Sequence, residues 1–129
     1  MINGIVNVQI EAIITLKVLG SSGAEVAVEA VIDTGFNGYL TMPQPLIDFL
    51  GLPWRRRGSG ILADGSRIIF DIYEAEVIWD GELRRVAVDG SEADPLIGMS
   101  LLQGYELLIQ VVKNGNVAIK QLPSGIPTV

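Results

Sequence analysis

Ala30-Val31-Ile32-Asp33-Thr34-Gly35 is the stretch on which the reading of this chain turns. Upstream of it, Ala24 to Ile32 reads as a strand that ends in a continuous apolar step, and the aspartate follows without an intervening polar residue. A carboxylate at the end of an apolar strand is costly to bury unless a partner or a function compensates. Two other triplets, Asp64-Gly65-Ser66 and Asp89-Gly90-Ser91, share the turn chemistry of an aspartate and a glycine but lack this apolar frame. Taken alone, Asp-Thr-Gly is also compatible with an ordinary turn.

Working outward, apolar residues fall on alternate positions at Val6, Val8, Ile10, Ala12, Ile14, Leu16 and Val18. That period of two predicts one strand from Ile5 to Leu19, bent midway, with Gly20 to Gly23 as the turn into the next. Beyond the triplet come a short apolar piece, Tyr39 to Met42, and a helix expected from Pro45 to Leu50 with Gly51 as its stop. Ile61 to Val88 reads as a meander whose turns are Asp64-Gly65 and Asp80-Gly81, of the kind two-residue hairpins favour. Leu96-Ile97-Gly98 leads into a helical turn over Ser100 to Gln103, and Tyr105–Val112 with Val117–Leu122 form a last hairpin around Asn114-Gly115. The expected architecture is all-β: a small closed barrel or folded sheet with one or two short helices. It forms a single domain over residues 1–129, with its core at about 5–122 and a loose tail at 123–129.

Composition narrows the chemistry. The 129 residues include no cysteine and no histidine, which excludes disulfide scaffolds, thiolate metal sites, cysteine nucleophiles and every triad or metal site that needs imidazole. Carboxylates are left as the leading acid-base groups, and neither a cofactor nor a metal is expected. A net charge of -6 argues against nucleic acid as a partner. The basic run Arg55-Arg56-Arg57 reads as a solvated loop, with a docking patch for an acidic segment as the alternative. Without cysteine an oxidising compartment gains no support, no apolar stretch is long enough to span a membrane bilayer, and a cytoplasmic location is the default expectation. Gly58 to Ala63 fits a dinucleotide-binding glycine pattern but follows arginines and precedes a turn, where that motif needs a strand and a helix. Asp89, Glu92 and Asp94 lack the EF-hand spacing and read as a solvated loop.

The order of these elements resembles that of the retropepsin-like aspartic peptidases, including the single-domain prokaryotic-type members. They share an apolar strand into Asp-Thr-Gly, a hairpin, and an apolar-apolar-Gly step before a helix, here Leu96-Ile97-Gly98, over about Val26 to Leu122. The resemblance implies an acid-protease barrel with Asp33 as catalytic carboxylate, Thr34 bonding across a dimer axis, and Gly35 allowing close backbone approach. It implies further that Ala63, Asp64 and Gly65 form the tip of a substrate-covering flap, and that Leu96, Ile97 and Gly98 pack beneath the active-site loop. Without the resemblance these residues read as turn residues and core aliphatics. Viral members carry a small residue and then an acid after the triplet, and an arginine after the downstream glycine. Here Phe36, Asn37 and Met99 stand in those places, so the coupled ion pair is absent as a pair.

A lone carboxylate cannot run peptide hydrolysis this way, because an ionised group must activate water while a protonated neighbour polarises the carbonyl. With one Asp-Thr-Gly per chain, the resemblance implies a homodimer in which two copies of Asp33 meet on a two-fold axis. A peptide or protein would be the substrate, bound as an extended strand. The alternative is a catalytically silent domain of the same fold that binds peptides or dimerises.

Overall fold

The computed structural model describes residues 1–123, so the tail expected at 123–129 lies, apart from Pro123, outside the described residues. In chain order the elements begin with β1 (Ile2–Val6), β2 (Ala12–Leu19), β3 (Glu25–Ile32), β4 (Leu40–Met42), α1 (Gln44–Leu50) and β5 (Trp54–Ile61). They continue with β6 (Arg67–Trp79), β7 (Glu82–Gly90), β8 (Leu96–Ile97), α2 (Met99–Leu102), β9 (Tyr105–Ile109) and β10 (Asn116–Gln121). The strands form one sheet in the order β5-β6-β7-β4-β8-β3-β2-β1-β10-β9. β6 also pairs back onto β2, with Val77 opposite Val18, so the strands from β2 round to β6 form a closed ring of pairings. The fold is all-β with two short helices, as the periodicity implied.

Alternation builds the core. In β2, Ile14, Leu16 and Val18 are buried while Thr15 and Lys17 between them are exposed, and in β3 Val28, Ala30 and Ile32 face the same interior. Trp79 and Val77 of β6 and Val86 and Val88 of β7 close the ring from the other side. Trp79 meets Tyr105 edge to face, with ring centroids 5.7 Å apart. Each such aliphatic side chain withdrawn from water contributes about 1.5–3 kcal/mol. The core therefore rests on many small contributions around a closed ring.

Several local expectations differ from the structure. The run from Ile5 to Leu19 is not one bent strand but the β1–β2 hairpin, in which Ile5 pairs with Ile13 and Val6 with Ala12. Asn7 makes that turn, its Oδ1 accepting the backbone N–H groups of Gln9 and Glu11, and it leaves Val8 and Ile10 exposed at the tip. An asparagine side chain competing with the ladder is the signal that the apolar alternation masked. Arg55, Arg56 and Arg57 lie in β5 rather than in a loop; Arg56 and Arg57 pair with Ile72 and Asp71 of β6, and Arg55, at the irregularity after Trp54, forks onto Glu74 at 3.1 and 3.2 Å. The last hairpin turns through residues 110–115, a longer loop than Asn114-Gly115 alone would make. The second helix is Met99–Leu102, one residue earlier than expected. By contrast, the turn at Asp80-Gly81 has both residues at positive φ (52° and 82°) between Trp79 and Glu82, as a two-residue hairpin requires.

Candidate active-site loop and its surroundings

Asp33 follows the last residue of β3, and its backbone N–H continues the ladder onto the Ile97 carbonyl at 2.9 Å. Topology explains why the chain cannot turn tightly there. β8 lies between β3 and β4, parallel to the first and antiparallel to the second, so residues 33–39 must arch over the end of β8. That arch carries Asp33 half-buried, with Thr34 and Gly35 exposed beyond it. The Asp33 carboxylate is oriented from within the loop, its Oδ1 accepting the Gly35 N–H at 2.9 Å, and the Phe36 N–H returns to the Asp33 carbonyl at 3.1 Å.

The arch is held down by the segment that begins α2. Backbone N–H groups of Gly98, Met99 and Ser100 donate to the carbonyls of Tyr39, Phe36 and Gly38 at 3.1, 2.8 and 3.1 Å. The Ser100 hydroxyl donates to the Asn37 carbonyl. Gly98 sits where no side chain fits: a Cβ there would lie 2.2 Å from the Gly38 carbonyl oxygen and 2.6 Å from the Phe36 ring. Leu96 and Ile97 run beneath, with Ile97 fully buried, and the Leu96 N–H donates to the hydroxyl of Thr41, the buried polar residue of the core. The structure thus brings Asp33, Thr34, Gly35, Leu96, Ile97 and Gly98 into one assembly. Sequence reading missed Ser100, Phe36 and Thr41 as parts of it. Ser100 and Asn37 are 63 positions apart, and no local pattern links them.

Ala63, Asp64 and Gly65 lie elsewhere, at the tip of the β5–β6 hairpin. Leu62 N–H bonds to the Ser66 carbonyl at 2.8 Å and Gly65 N–H to the Leu62 carbonyl at 2.9 Å, which makes a three-residue loop with Gly65 at φ 85° in place of the expected two-residue turn. Asp64 Oδ1 accepts both the hydroxyl and the N–H of Ser66 at 2.6 and 2.9 Å, and these bonds hold its carboxyl below the usual range. The tip is apolar on its flanks, with Ile61, Leu62, Ile68 and Ile69 all exposed.

Between this hairpin and the body lies a cleft of about 890 Å³. Leu62, Ile68 and Phe70 line it from the hairpin, Thr41 and residues 89–93 from the body, and Phe36 from the arch, while Asp33 itself is outside its lining. Asp89 at its wall is half-buried, and desolvation pushes its carboxyl up, opposed by the charge of Arg56. Among the described residues no group of three or more His, Cys, Asp or Glu side chains is placed to hold a metal. Nor is any helix among the described residues long and apolar enough to cross a membrane.

No protein-family model and no curated protein matches the sequence. Solved structures do match. A retropepsin-like aspartic protease from Rickettsia conorii superposes with a TM-score of 0.60 at 16% identity, over 95% of this chain and 91% of that one. EIAV protease in complex with the inhibitor HBY-793 superposes with a TM-score of 0.54 at 16% identity, over 75% of this chain and 89% of that one. Identity this low with alignment this extensive speaks to architecture and leaves chemistry to the site. With its arch over β8, its β5–β6 hairpin and its closed ring of strands, the chain has the retropepsin-like fold.

Proposed function

We propose that this chain is one half of an aspartic endopeptidase, with Asp33 and the Asp33 of a second copy as its catalytic pair. The observation that carries the reading is the placement of Asp33. It stands at the foot of an arch tied to β8 and α2, and its carboxylate is held by the Gly35 N–H, in a fold shared with aspartic proteases. So much backbone anchoring around one half-buried carboxylate is more than a turn needs, and pre-organised geometry is what acid-base chemistry needs.

In the proposed dimer, Thr34 and Gly35, exposed beside Asp33, meet their counterparts across the axis. Two carboxylates brought within hydrogen-bond reach share one proton, since both cannot ionise side by side. The ionised member takes a proton from water as that water attacks the peptide carbon. The protonated member donates to the carbonyl oxygen, giving a tetrahedral diol; in its collapse the first carboxyl passes the proton it took from water to the leaving nitrogen, and the second recovers a proton from a diol hydroxyl as the C–N bond breaks, releasing acid and amine and restoring the pair. The peptide lies extended between this floor and the β5–β6 hairpins, which act as flaps.

The test is incubation with an unfolded protein at acid and neutral pH, with and without a pepstatin-type inhibitor, alongside sedimentation at micromolar concentration. Inhibitable cleavage by a dimer supports the reading. A monomer that cleaves removes the two-fold site, and a dimer that cleaves nothing leaves a silent binding or dimerisation module of the same fold.

A further inference from the structure

The cleft beside the arch has a chemistry of its own. Its walls carry the apolar side chains Leu62, Ile68 and Phe70 from the hairpin and Phe36 from the arch. Phe36 is three residues from Asp33, so a peptide running past Asp33 under the hairpin would direct a side chain into this space. Asp89 lines the same cleft. Strand register sets Asp89 beside both Thr41 and Ile72, and Ile72 beside Arg56, so Asp89 and Arg56 share one face of the sheet.

We propose that this cleft is a substrate subsite that selects a lysine or arginine side chain, with Asp89 as the residue that receives the cationic head. The inference rests on the peptidase reading above and deepens it to a class of substrate. Lysine and arginine match the cleft in both parts, an aliphatic stem against Leu62, Ile68 and Phe70 and a cation at the far end. A leucine would leave Asp89 shut away from water with nothing to pair with, and a glutamate would add a like charge.

The neighbouring charges leave Asp89 available. Among the described residues it makes no ion pair within 4 Å and no side-chain hydrogen bond, although burial already disfavours its charged form. Arg56 is the cation that acts on it, but from a distance, without forming a pair. Asp71, the other aspartate at the cleft, is already engaged: it accepts the Trp54 indole N–H at 3.1 Å and faces Arg57 at 3.8 Å. Glu92 is exposed at the rim, where solvent screens it.

The experiment uses the full-length protein and matched peptides in which one position at a time, on either side of the cleaved bond, is lysine, norleucine or glutamate. Norleucine keeps the stem of lysine and lacks its ammonium. At one position kcat/KM should favour lysine over norleucine about tenfold or more, as expected of a hydrogen bond to a charged group, with glutamate the poorest. Asp89→Asn, which keeps the shape and removes a poorly solvated charge, should collapse the lysine-to-norleucine ratio toward one. Arg56→Gln, which removes the competing cation, should widen it. The inference is overturned if no position discriminates lysine from norleucine, or if the preference survives in Asp89→Asn. Failure of the peptidase reading looks different: either nothing is cleaved, in which case both fall together, or cleavage persists in Asp33→Asn. Even cleavage of all the peptides by the wild type, lost in Asp33→Asn, leaves the peptidase and removes only the subsite.

Discussion

Asp33 and Asp64 occupy the same local motif. Each is followed two residues later by a backbone N–H that its Oδ1 accepts at 2.9 Å, from Gly35 in one case and Ser66 in the other. What differs is everything beyond the turn. The loop of Asp33 is pinned from below by Gly98, Met99 and Ser100, while the turn of Asp64 is held by bonds within its own hairpin. One short hydrogen-bonded motif is therefore tied to a distant segment in one place and stands at a hairpin tip in the other. The tertiary partners decide which, because a turn alone fixes a side chain no better than the hairpin that carries it.

The largest expected contrast is in activity. Asp33→Asn should abolish peptide cleavage, since an amide can neither take a proton from the attacking water as a base nor share one with its mate, whereas Asp64→Asn should lower it by less than about tenfold because the tip is proposed to cover the substrate without reacting with it. Rates of the two variants on one peptide measure this, and an active Asp33→Asn removes Asp33 from the chemistry. If the proposed dimer forms as inferred, Asp33→Asn should also dissociate no more readily than the wild type at neutral pH, because asparagine can hydrogen-bond across the proposed axis and carries no like charge into it.

Glycine substitutions sharpen the comparison on the stability side. Gly98→Ala forces a Cβ to within 2.2 Å of the Gly38 carbonyl oxygen, so the arch must shift; the expected loss is on the order of 1–3 kcal/mol or more, with cleavage falling alongside it. Gly65→Ala meets no neighbour and suffers only from its φ of 85°, about 1–2 kcal/mol for a left-handed alanine, borne by the hairpin tip. Denaturant unfolding of both should rank Gly98→Ala the more damaging. The reverse order would mean that the arch is softer than its bonds imply.

Hydrogen exchange reads the same difference without mutation. Amides from Ile61 to Ile68 should exchange rapidly in the free protein and slow on binding an inhibitor, while those of Asp33, Gly98 and Met99 stay protected in both states. Equal protection of the tip in the two states would contradict its role as a flap.

The smallest effect concerns Asp89. Burial raises its carboxyl above the usual range in the folded chain, so its contribution is most favourable at acid pH, below the ordinary aspartate value. That contribution is lost as pH rises through the raised value. Asp89→Asn should thus be more stable than the wild type at neutral pH, by up to about 1 kcal/mol given its partial exposure, with the gap closing on acidification. Thermal melts at the two pH values check the sign, and an Asp89→Asn protein less stable at neutral pH would show that the carboxylate has a partner in the folded state.

Much of the architecture was legible in the residues. The two-residue period of Ile14, Leu16 and Val18, the Asp80-Gly81 turn, Gly51 ending the first helix and the two apolar steps into Asp33 and Gly98 each carry their own local cause. Local causes misled where two patterns overlapped. The alternation through Val8 and Ile10 continued across a turn made by Asn7, and the charges of Arg55 to Arg57 concealed a strand whose partner is β6. No sequence pattern could place Ser100 against Asn37, Thr41 beneath Leu96, or Asp89 in one cleft with Phe70. Those contacts join segments far apart in the chain, and they exist only because β8 inserts between β3 and β4 and β6 returns to β2. Residue type set which groups could do chemistry, by supplying carboxylates and withholding histidine and cysteine. The closed ring of strands decided which carboxylate is tied to a second segment, which stands at a hairpin tip and which lines a cleft, because such placement comes from non-local packing.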